Sequence, residues 1–335
     1  MILGAKAIWD KYFRQAPMRY YDAGANITNE KIEAMLQNKD NNYIATLKSD
    51  GEWCRIIVGD REVVAQSRNI SKVTGEYGDK TELIPHIIEE VKSFPAGTVL
   101  LGELCFSNIT TTARDVGSIL RCKAPKAIER QKNNKLVYRV FDCLAYAGED
   151  FAEYGYECRF EVARDKIELE GFKYIQMCKY VTENFEDFLA GILAMGGEGI
   201  VIHSKDYLYA PGQRPAWKTL KIKKTTGEIE CPVVNTIEPN KLYEGKELDN
   251  WEFFVDGVAV TKPYYYEWKN GIIINHNGNK VRVTSGLTDD DREWLASEEA
   301  EAAIKENRLY AVVSGMEISS TSIRHPRLIR LRMDV

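Results

Sequence analysis

From Tyr43 the chain alternates apolar and polar residues in short runs. YIATLK (43–48), WCRIIV (53–58) and REVVAQS (61–67) predict strands, the last two joined through Gly59-Asp60, a two-residue hairpin signal. LIPHIIEEVKSF (83–94) carries helical periodicity, whereas VLLGELCF (99–106) and VYRVFDCLAY (137–146) are the near-continuous apolar runs of buried strands. Residues 158–171 and 184–195 predict helices, and GIVIHS (199–204) and TLKIKK (219–224) predict strands. The opening forty residues hold Pro17 and a NITNEKIEAML stretch starting near an Asn or Thr cap, which predicts a short helical lead-in without candidate chemistry. Such irregular alternation predicts an α+β body built on antiparallel sheets.

After Thr225-Thr226-Gly227 the texture changes. VVNTI (233–237), WEFFVDGVAV (251–260) with an Asp-Gly turn, IIINHNGNKVRVTSG (272–286) with an Asn-Gly turn, YAVVSGMEI (310–318) and LIRLRMD (328–334) predict about five short strands. One helix is predicted from Asp289, capped by Thr288 with Asp291 three residues on. That pattern is the one expected of a small Greek-key barrel of the OB type. At a loose ~150 residues per domain, 335 residues hold two domains, drawn here at 1–227 and 228–335.

Charge sharpens this division. The whole chain carries −5, yet residues 228–335 set 13 Lys and Arg against 19 Asp and Glu, whereas residues 1–227 set 32 against 31. Within the first part lie two basic stripes: Arg121, Lys123, Lys126, Arg130, Lys132 and Lys135 against Glu129 alone, and Arg214, Lys218, Lys221, Lys223 and Lys224 with no acid. Net charge thus hides a surface suited to a polyanion. The seven cysteines are scattered, with no C-x-x-C pair, which argues against a disulfide framework or a structural zinc site. No apolar run reaches the ~20 residues of a membrane helix, and Lys6, Asp10, Lys11 and Arg14 interrupt any signal core. A cytoplasmic protein with free thiols and no membrane partner is expected.

Several short motifs carry candidate chemistry. Lys48-Ser49-Asp50-Gly51 ends a predicted strand in a turn; a lysine there attacks phosphorus only when neutral, a state that nearby positive charge favours. Glu103 sits in an apolar strand, where a carboxylate is costly unless it meets a cation, metal or hydroxyl. Phe141 and Asp142 follow in the next strand, and Glu198 stands between glycines at a strand start. Lys221 and Lys223 alternate, so both ammoniums share one strand face and want an anion between them. Each signal alone is weak, since an Asp-Gly is a plain turn, a strand Phe is usually core and Lys guards edge strands.

Their order is stronger than their sum. K-x-D-G, SRN (67–69), GEL (102–104), FD-x-L (141–144), EGIVI (198–202), K-x-K (221–223) and then a barrel with VTSGLT and RHPRLIRLRMD resemble the covalent nucleotidyltransferases. The C-terminal pieces make the chain similar to ATP-dependent DNA ligases of the short two-domain viral or bacterial type, over about residues 40–335. The resemblance implies an adenylation domain followed by an OB-fold domain, ATP and Mg²⁺ (or Mn²⁺) as cofactors, and nicked duplex DNA as partner of a monomer. It implies that Lys48 takes AMP from ATP, that the AMP passes to the 5′-phosphate of a nick, and that the 3′-hydroxyl displaces it. Thr46 matches a position that contacts adenine in some relatives and Phe141 the stacking aromatic. Glu103 would hold the ribose or a metal, Glu198 the Mg²⁺, Lys221 and Lys223 the α-phosphate, Arg68 both AMP and nick phosphates, and Arg214 a further phosphate.

Three departures follow from the same comparison. Position 53 of K-x-D-G-x-R is Trp, and Arg55 is the expected substitute because i and i+2 share a strand face. Trp217 stands four, not two, residues before Lys221. The barrel motif R-x-D-K becomes Arg332-Met333-Asp334 followed by Val335, so Arg330, Arg332 and Asp334 are expected to orient the pyrophosphate, with weakened self-adenylation. Arg121, Lys123, Lys126, Arg130, Arg324 and Arg327 are the expected contacts to the DNA backbone, which set affinity without reading sequence. An RNA ligase, an mRNA-capping-type enzyme and a non-catalytic OB-type nucleic-acid binder are the alternatives.

Overall fold

The computed structural model describes residues 2–22, 29–71, 74–215, 217–223, 227–245, 250–315 and 317–334. Asn26 and Thr28 of the expected cap, Lys224 of the second basic stripe and Thr225-Thr226 of the expected boundary lie outside them. The chain forms two compact units, Met1–Lys224 and Thr225–Val335.

Two sheets organise the first unit. One has the strand order Tyr21–Asp22, Thr219–Lys223, Gly199–Ser204, Tyr43–Lys48, Tyr180–Val181. The other runs Tyr77–Asp79, Val63–Ile70, Glu52–Val58, Thr98–Cys105, Val137–Tyr146, Glu149–Asp150, with Ile175–Met177 added in parallel to the Val137–Tyr146 strand. Strand alternation assigns the faces of the first sheet. Ala45, Leu47, Ile200, Ile202 and Leu220 pack on one side with Met35, Phe185 and Ile192 of the helices Asn29–Gln37 and Phe185–Ala194. Ile44 points the other way, into a core shared with Ile57, Leu101, Leu144, Tyr156 and Phe160. The outer side of the second sheet carries its own core, in which Ile56, Leu100, Leu104 and Tyr138 meet Ile87, Val116 and Ile167.

A β-bulge breaks the alternation at one functional position. Pairing passes from Leu101↔Asp142 to Gly102↔Val140, which leaves Phe141 as an extra residue and re-aims its ring. Gly102 is obligatory opposite it, because a Cβ there would lie 2.5 Å from the Tyr138 ring and 2.6 Å from the Arg139 carbonyl oxygen.

Asp142 itself is fully buried against Arg159 of the Tyr156–Glu170 helix, with contacts of 2.8 and 3.1 Å. Arg159 also donates to the Tyr154 and Tyr207 carbonyls at 2.6 and 3.0 Å, so this ion pair ties strand, helix and the Tyr207 loop together. Although burial acts against its charge, the carboxylate of Asp142 raises the arginine's pKa above its ordinary value.

In the second unit the sheet order is Asn279–Val283, Gly271–His276, Ile229–Ile237, Leu309–Ser314, Arg327–Met333. Ile229–Ile237 pairs with Leu309–Ser314 through its first half and with Gly271–His276 through its second, shifting register between Val233 and Asn235. A bridge from Ser285 to Arg327 brings the two ends of the sheet together, as an OB-type barrel requires. Asp256-Gly257 and Asn277-Gly278 turn their hairpins with φ of 51, 77, 49 and 84°, the left-handed pair that two-residue loops demand. The Thr288 capping box forms as expected at Asp289–Trp294.

The pattern missed the helices Ala113–Leu120 and Glu298–Lys305, the latter an acidic run without a clear apolar stripe. The loop at Gly59-Asp60 also differs: Val58 pairs with Val63 and Gly59 N–H donates to Glu62, so four residues rather than two make the turn. All seven cysteines are free, and among the described residues no helix is long and apolar enough to cross a membrane. Asp142→Ala, which strands a buried guanidinium, is expected to lose about 3–5 kcal/mol of stability in urea unfolding; a loss below about 1 kcal/mol would contradict the structural role given to this pair.

Candidate active site

Between the two sheets of the first unit lies a cavity of about 620 Å³, within the range of small-molecule sites. Three strands of the first sheet build one wall. Thr46, Val201 and Lys221 are directly opposite one another across them, and Lys48, Gly199 and Lys223 form the next row. Residues opposed in antiparallel strands share a face, so the apolar residues between them, which fix the register, also fix where these polar groups point. Gly199 is the residue that this crowding demands: its φ is +146°, and a Cβ would come 2.0 Å from the Ile222 carbonyl oxygen.

Lys48 Nζ donates to Glu198 Oε2 at 2.5 Å, with both side chains mostly buried. Glu198 Oε1 is buried and has no hydrogen-bond partner. From the facing sheet come Trp53, Arg68, Glu103, Arg139 and Phe141. Burial pushes the Glu103 carboxyl from its ordinary 4.5 up to about 7; Lys48, Lys221 and Arg68 pull it down and Glu198 pushes it up. The cluster therefore holds two carboxylates and three cations within mutual electrostatic reach.

Such a cluster suits a polyphosphate with its cation. Among the described residues no group of three His, Cys, Asp or Glu side chains is placed to hold a metal. The orphaned Glu198 oxygen nonetheless fits a hard cation whose remaining ligands are phosphate oxygens and water. Cys178 also lines the cavity, but burial pushes its thiol up to about 12, which removes it as a nucleophile.

Residues 24–223 match the family model of the ATP dependent DNA ligase domain. The chain belongs to that family. Curated relatives include the DNA ligase of Thermococcus fumicolans, 26% identical over 312 residues that cover 86% of this chain and 51% of that protein. The DNA ligase of Methanococcus aeolicus is 27% identical over 311 residues, covering 86% and 50%. The chain thus spans about half the length of the curated relatives it matches. In fold it is similar to a Lig E DNA ligase, with a TM-score of 0.61 at 15% identity over 95% of this chain and 99% of that one. Against Pmar-Lig_Pre the TM-score is 0.63 at 16% identity, over 98% and 71%. The two-part architecture of nucleotidyltransferase fold and OB-type barrel is that of these ligases.

Of the residues expected from sequence, the cavity gathers Thr46, Lys48, Arg68, Glu103, Phe141 and Lys221, with Arg121 at its rim and Glu198 on the lysine. Lys223 shares the face of Lys221 and Lys48 by register but is not a lining residue. Arg214 is exposed on the loop after Gly212, away from the lining.

Arg55 requires correction. It does share the face of Trp53, yet the N-terminal segment covers it completely. Its guanidinium donates to the Gln15 and Phe13 carbonyls at 2.8 and 3.4 Å and to Gln66 Oε1 at 2.8 and 3.1 Å, so it clamps the lead-in and is not among the residues that line the cavity.

Arg330, Arg332 and Asp334 belong to the second unit, where each has a partner of its own. Arg332 donates to Glu230 at 2.6 and 3.1 Å and also pairs with Asp334, while Arg330 is 3.7 Å from Glu228. Arg324 ends a short hairpin and Arg327 opens the final strand of the same unit. Lys123, Lys126 and Arg130 are exposed on and beside the helix Ala124–Arg130. Trp217 stacks under Lys31 Nζ at 3.7 Å and does not line the cavity.

Several lining residues lie outside the expected set. Tyr20 comes from the lead-in that carries no candidate chemistry by sequence, with its ring 6.4 Å from that of Phe141 and 5.7 Å from Lys221 Nζ. Arg139, two residues before Phe141, donates to Ser49 Oγ at 3.3 Å and to the Ser107 carbonyl at 2.5 Å, bracing the turn that follows Lys48. Buried Lys80 pairs with Glu52, whose other oxygen is 3.7 Å from Arg121. His203 is legible in principle, since it shares a strand face with Val201.

With its pKa raised in the fold, Glu103 keeps a proton that the unfolded chain has already lost between about pH 4.5 and 7, so its contribution to stability fades as pH rises through that window. Glu103→Gln is expected to shrink the difference in stability between pH 5 and pH 8 and to exceed wild type at pH 8 by on the order of 1–3 kcal/mol; equal pH profiles in thermal melts would refute the burial argument.

Proposed function

We propose that this protein seals 3′-hydroxyl/5′-phosphate nicks in duplex DNA as an ATP-dependent DNA ligase. The single observation that carries the reading is the contact of Lys48 Nζ with Glu198 Oε2 on the wall of a cavity also lined by Phe141, Glu103, Arg68 and Lys221.

In the first step Lys48 Nζ forms a bond to the α-phosphorus of ATP, the bond to the β-phosphate oxygen breaks, and pyrophosphate leaves. Glu198 holds the amine and stands nearest to the proton that the nucleophile must shed. Lys221 and Arg68 offset the charge that develops on the phosphoryl oxygens, from fixed strand positions that need no reorganisation. Glu198 and Glu103 would hold Mg²⁺, which when bound supplies further charge neutralisation on the phosphates. Phe141, aimed by its bulge, would stack on the base. The 5′-phosphate of the nick then takes the AMP from Lys48, and the 3′-hydroxyl displaces AMP from that phosphate to close the strand. Arg55 lies outside the cavity lining, and with Trp at position 53 the other cations of the cavity are Lys80, Arg121 and Arg139.

Incubation with Mg²⁺ and ATP labelled at the α-phosphate is expected to give an acid-labile label on the chain, which Lys48→Ala abolishes and nicked DNA discharges with sealing. Labelling by GTP instead of ATP would favour the capping-type reading, and discharge by nicked RNA in preference to DNA the RNA-ligase reading. No label with either nucleotide would leave only a nucleic-acid binder. Lys123→Ala with Lys126→Ala is expected to lower the slope of log affinity for nicked duplex against log salt by about 2, at roughly 0.9 per phosphate contact, while lysyl-AMP formation keeps its rate; an unchanged slope would remove this helix from the DNA-binding surface.

A further inference from the structure

The deep end of the cavity holds a polar pair that no step above uses. Thr46 Oγ1 lies 3.1 Å from His203 Nε2 and 3.3 Å from the Val201 carbonyl oxygen, and all three residues line the cavity. The imidazole is locked in place. It stacks on Tyr156 with ring centroids 4.1 Å apart and planes 10° from parallel, meets the edge of Tyr20 at 5.5 Å, and sets Nδ1 3.5 Å from the Tyr207 hydroxyl. Burial, reinforced by the Arg159 charge, pushes its pKa down to about 3, so the ring is neutral and exists as one of two tautomers.

The consequence for Thr46 is the same in both. With Nε2 protonated, the ring donates to Thr46 Oγ1 and the threonine gives its own proton to the Val201 carbonyl. With Nε2 bare, the threonine donates to the ring. A hydroxyl has one proton. In either tautomer that proton has an acceptor between the two strands, and a lone pair of Thr46 is left toward the cavity beside the Cys178 thiol, which also hydrogen-bonds the threonine.

We infer that His203 is a positioning residue for base selection: by holding the Thr46 hydroxyl as an acceptor, it makes the cavity favour a purine with an exocyclic amine over one with an oxo group at the same position. Building on the adenylyl-transfer reading, this adds to it the choice of nucleotide. An amine at that edge of the base donates to Thr46, whereas an oxo group sets lone pair against lone pair and leaves the hydroxyl unsatisfied in a dry site.

The test compares lysyl-nucleotide formation by the full chain with ATP, ITP and GTP in Mg²⁺, as kcat/KM for each. Wild type is expected to prefer ATP. His203→Phe keeps a ring against Tyr156 but removes the nearer of the two groups that fix the threonine hydroxyl, so that its proton can turn from the Val201 carbonyl to an oxo group, and the ATP-to-ITP preference is expected to fall about tenfold, mainly through KM. His203→Gln restores a hydrogen-bonding partner and is expected to stay within about threefold of wild type.

Thr46→Val, which has no hydroxyl to accept, is expected to lose most of the discrimination, and Thr46→Ser to keep it. This pair decides the matter should His203→Phe not fold, and preference persisting in Thr46→Val overturns the inference. So does a His203→Phe variant that loses ATP and ITP use in equal proportion, which is the behaviour of a purely structural ring. Wild type that ATP labels, together with an unchanged preference in the variants, overturns this inference alone; wild type that ATP does not label overturns the adenylyl-transfer reading as well.

Discussion

The site depends on one register, that of Tyr43–Lys48 against Gly199–Ser204. A slip of one residue would turn Thr46 and Lys48 into the packing with Phe185 and Ile192 and expose Ala45 and Leu47 to the cavity. What prevents the slip is apolar. Ala45, Leu47, Ile200, Ile202 and Leu220 bury one face of the sheet under two helices, and each buried position dictates the direction of the polar residue beside it. Lys48 beside Glu198, Lys221 beside Val201 and Thr46 beside His203 are thus consequences of hydrophobic packing on the opposite face.

Around that wall the protein keeps charge where water is scarce, and it does so in two ways. Structural charges are fully paired: Asp142 with Arg159, and Arg55 with the carbonyls and amide that enclose it. Charges at the cavity are paired incompletely. Glu198 leaves one buried oxygen without a partner, and Glu103 is pushed toward its protonated form even with three cations nearby. Unsatisfied groups of this kind are costly in a native protein and concentrate where a ligand supplies the missing partner. The contrast separates Arg55, whose hydrogen bonds are filled from within the fold, from the charged residues that line the cavity.

Much of this architecture is legible in the order of residues along the chain. Period-two alternation marks the strands that bear Lys48 and Lys221, near-continuous apolar runs mark those that bear Glu103 and Phe141, and Asn-Gly and Asp-Gly mark two hairpins of the second unit, because local backbone preference and pleat geometry settle those features without distant contacts. Acidic Glu298–Lys305 escapes notice because its capping Ser297 and two buried alanines make a weaker signal than an apolar stripe. The ordered array of short motifs also points to the family, since the chemistry needs those residue types at strand ends in a set sequence.

Sequence by itself therefore determined the longer strands that wall the cavity, the faces they present and several of the polar residues that line it. Tertiary structure alone decided what each polar group meets. The strand parity that placed Arg55 beside Trp53 was correct, yet the N-terminal segment at Phe13 and Gln15, whose carbonyls meet that position, makes it a clamp. The bulge that aims Phe141, the Tyr20 ring brought from the lead-in, and the pairing of His203 with Thr46 all join segments more than a hundred residues apart or depend on a register irregularity. Such contacts are chosen by the packing of whole sheets, and no local pattern along the chain encodes them.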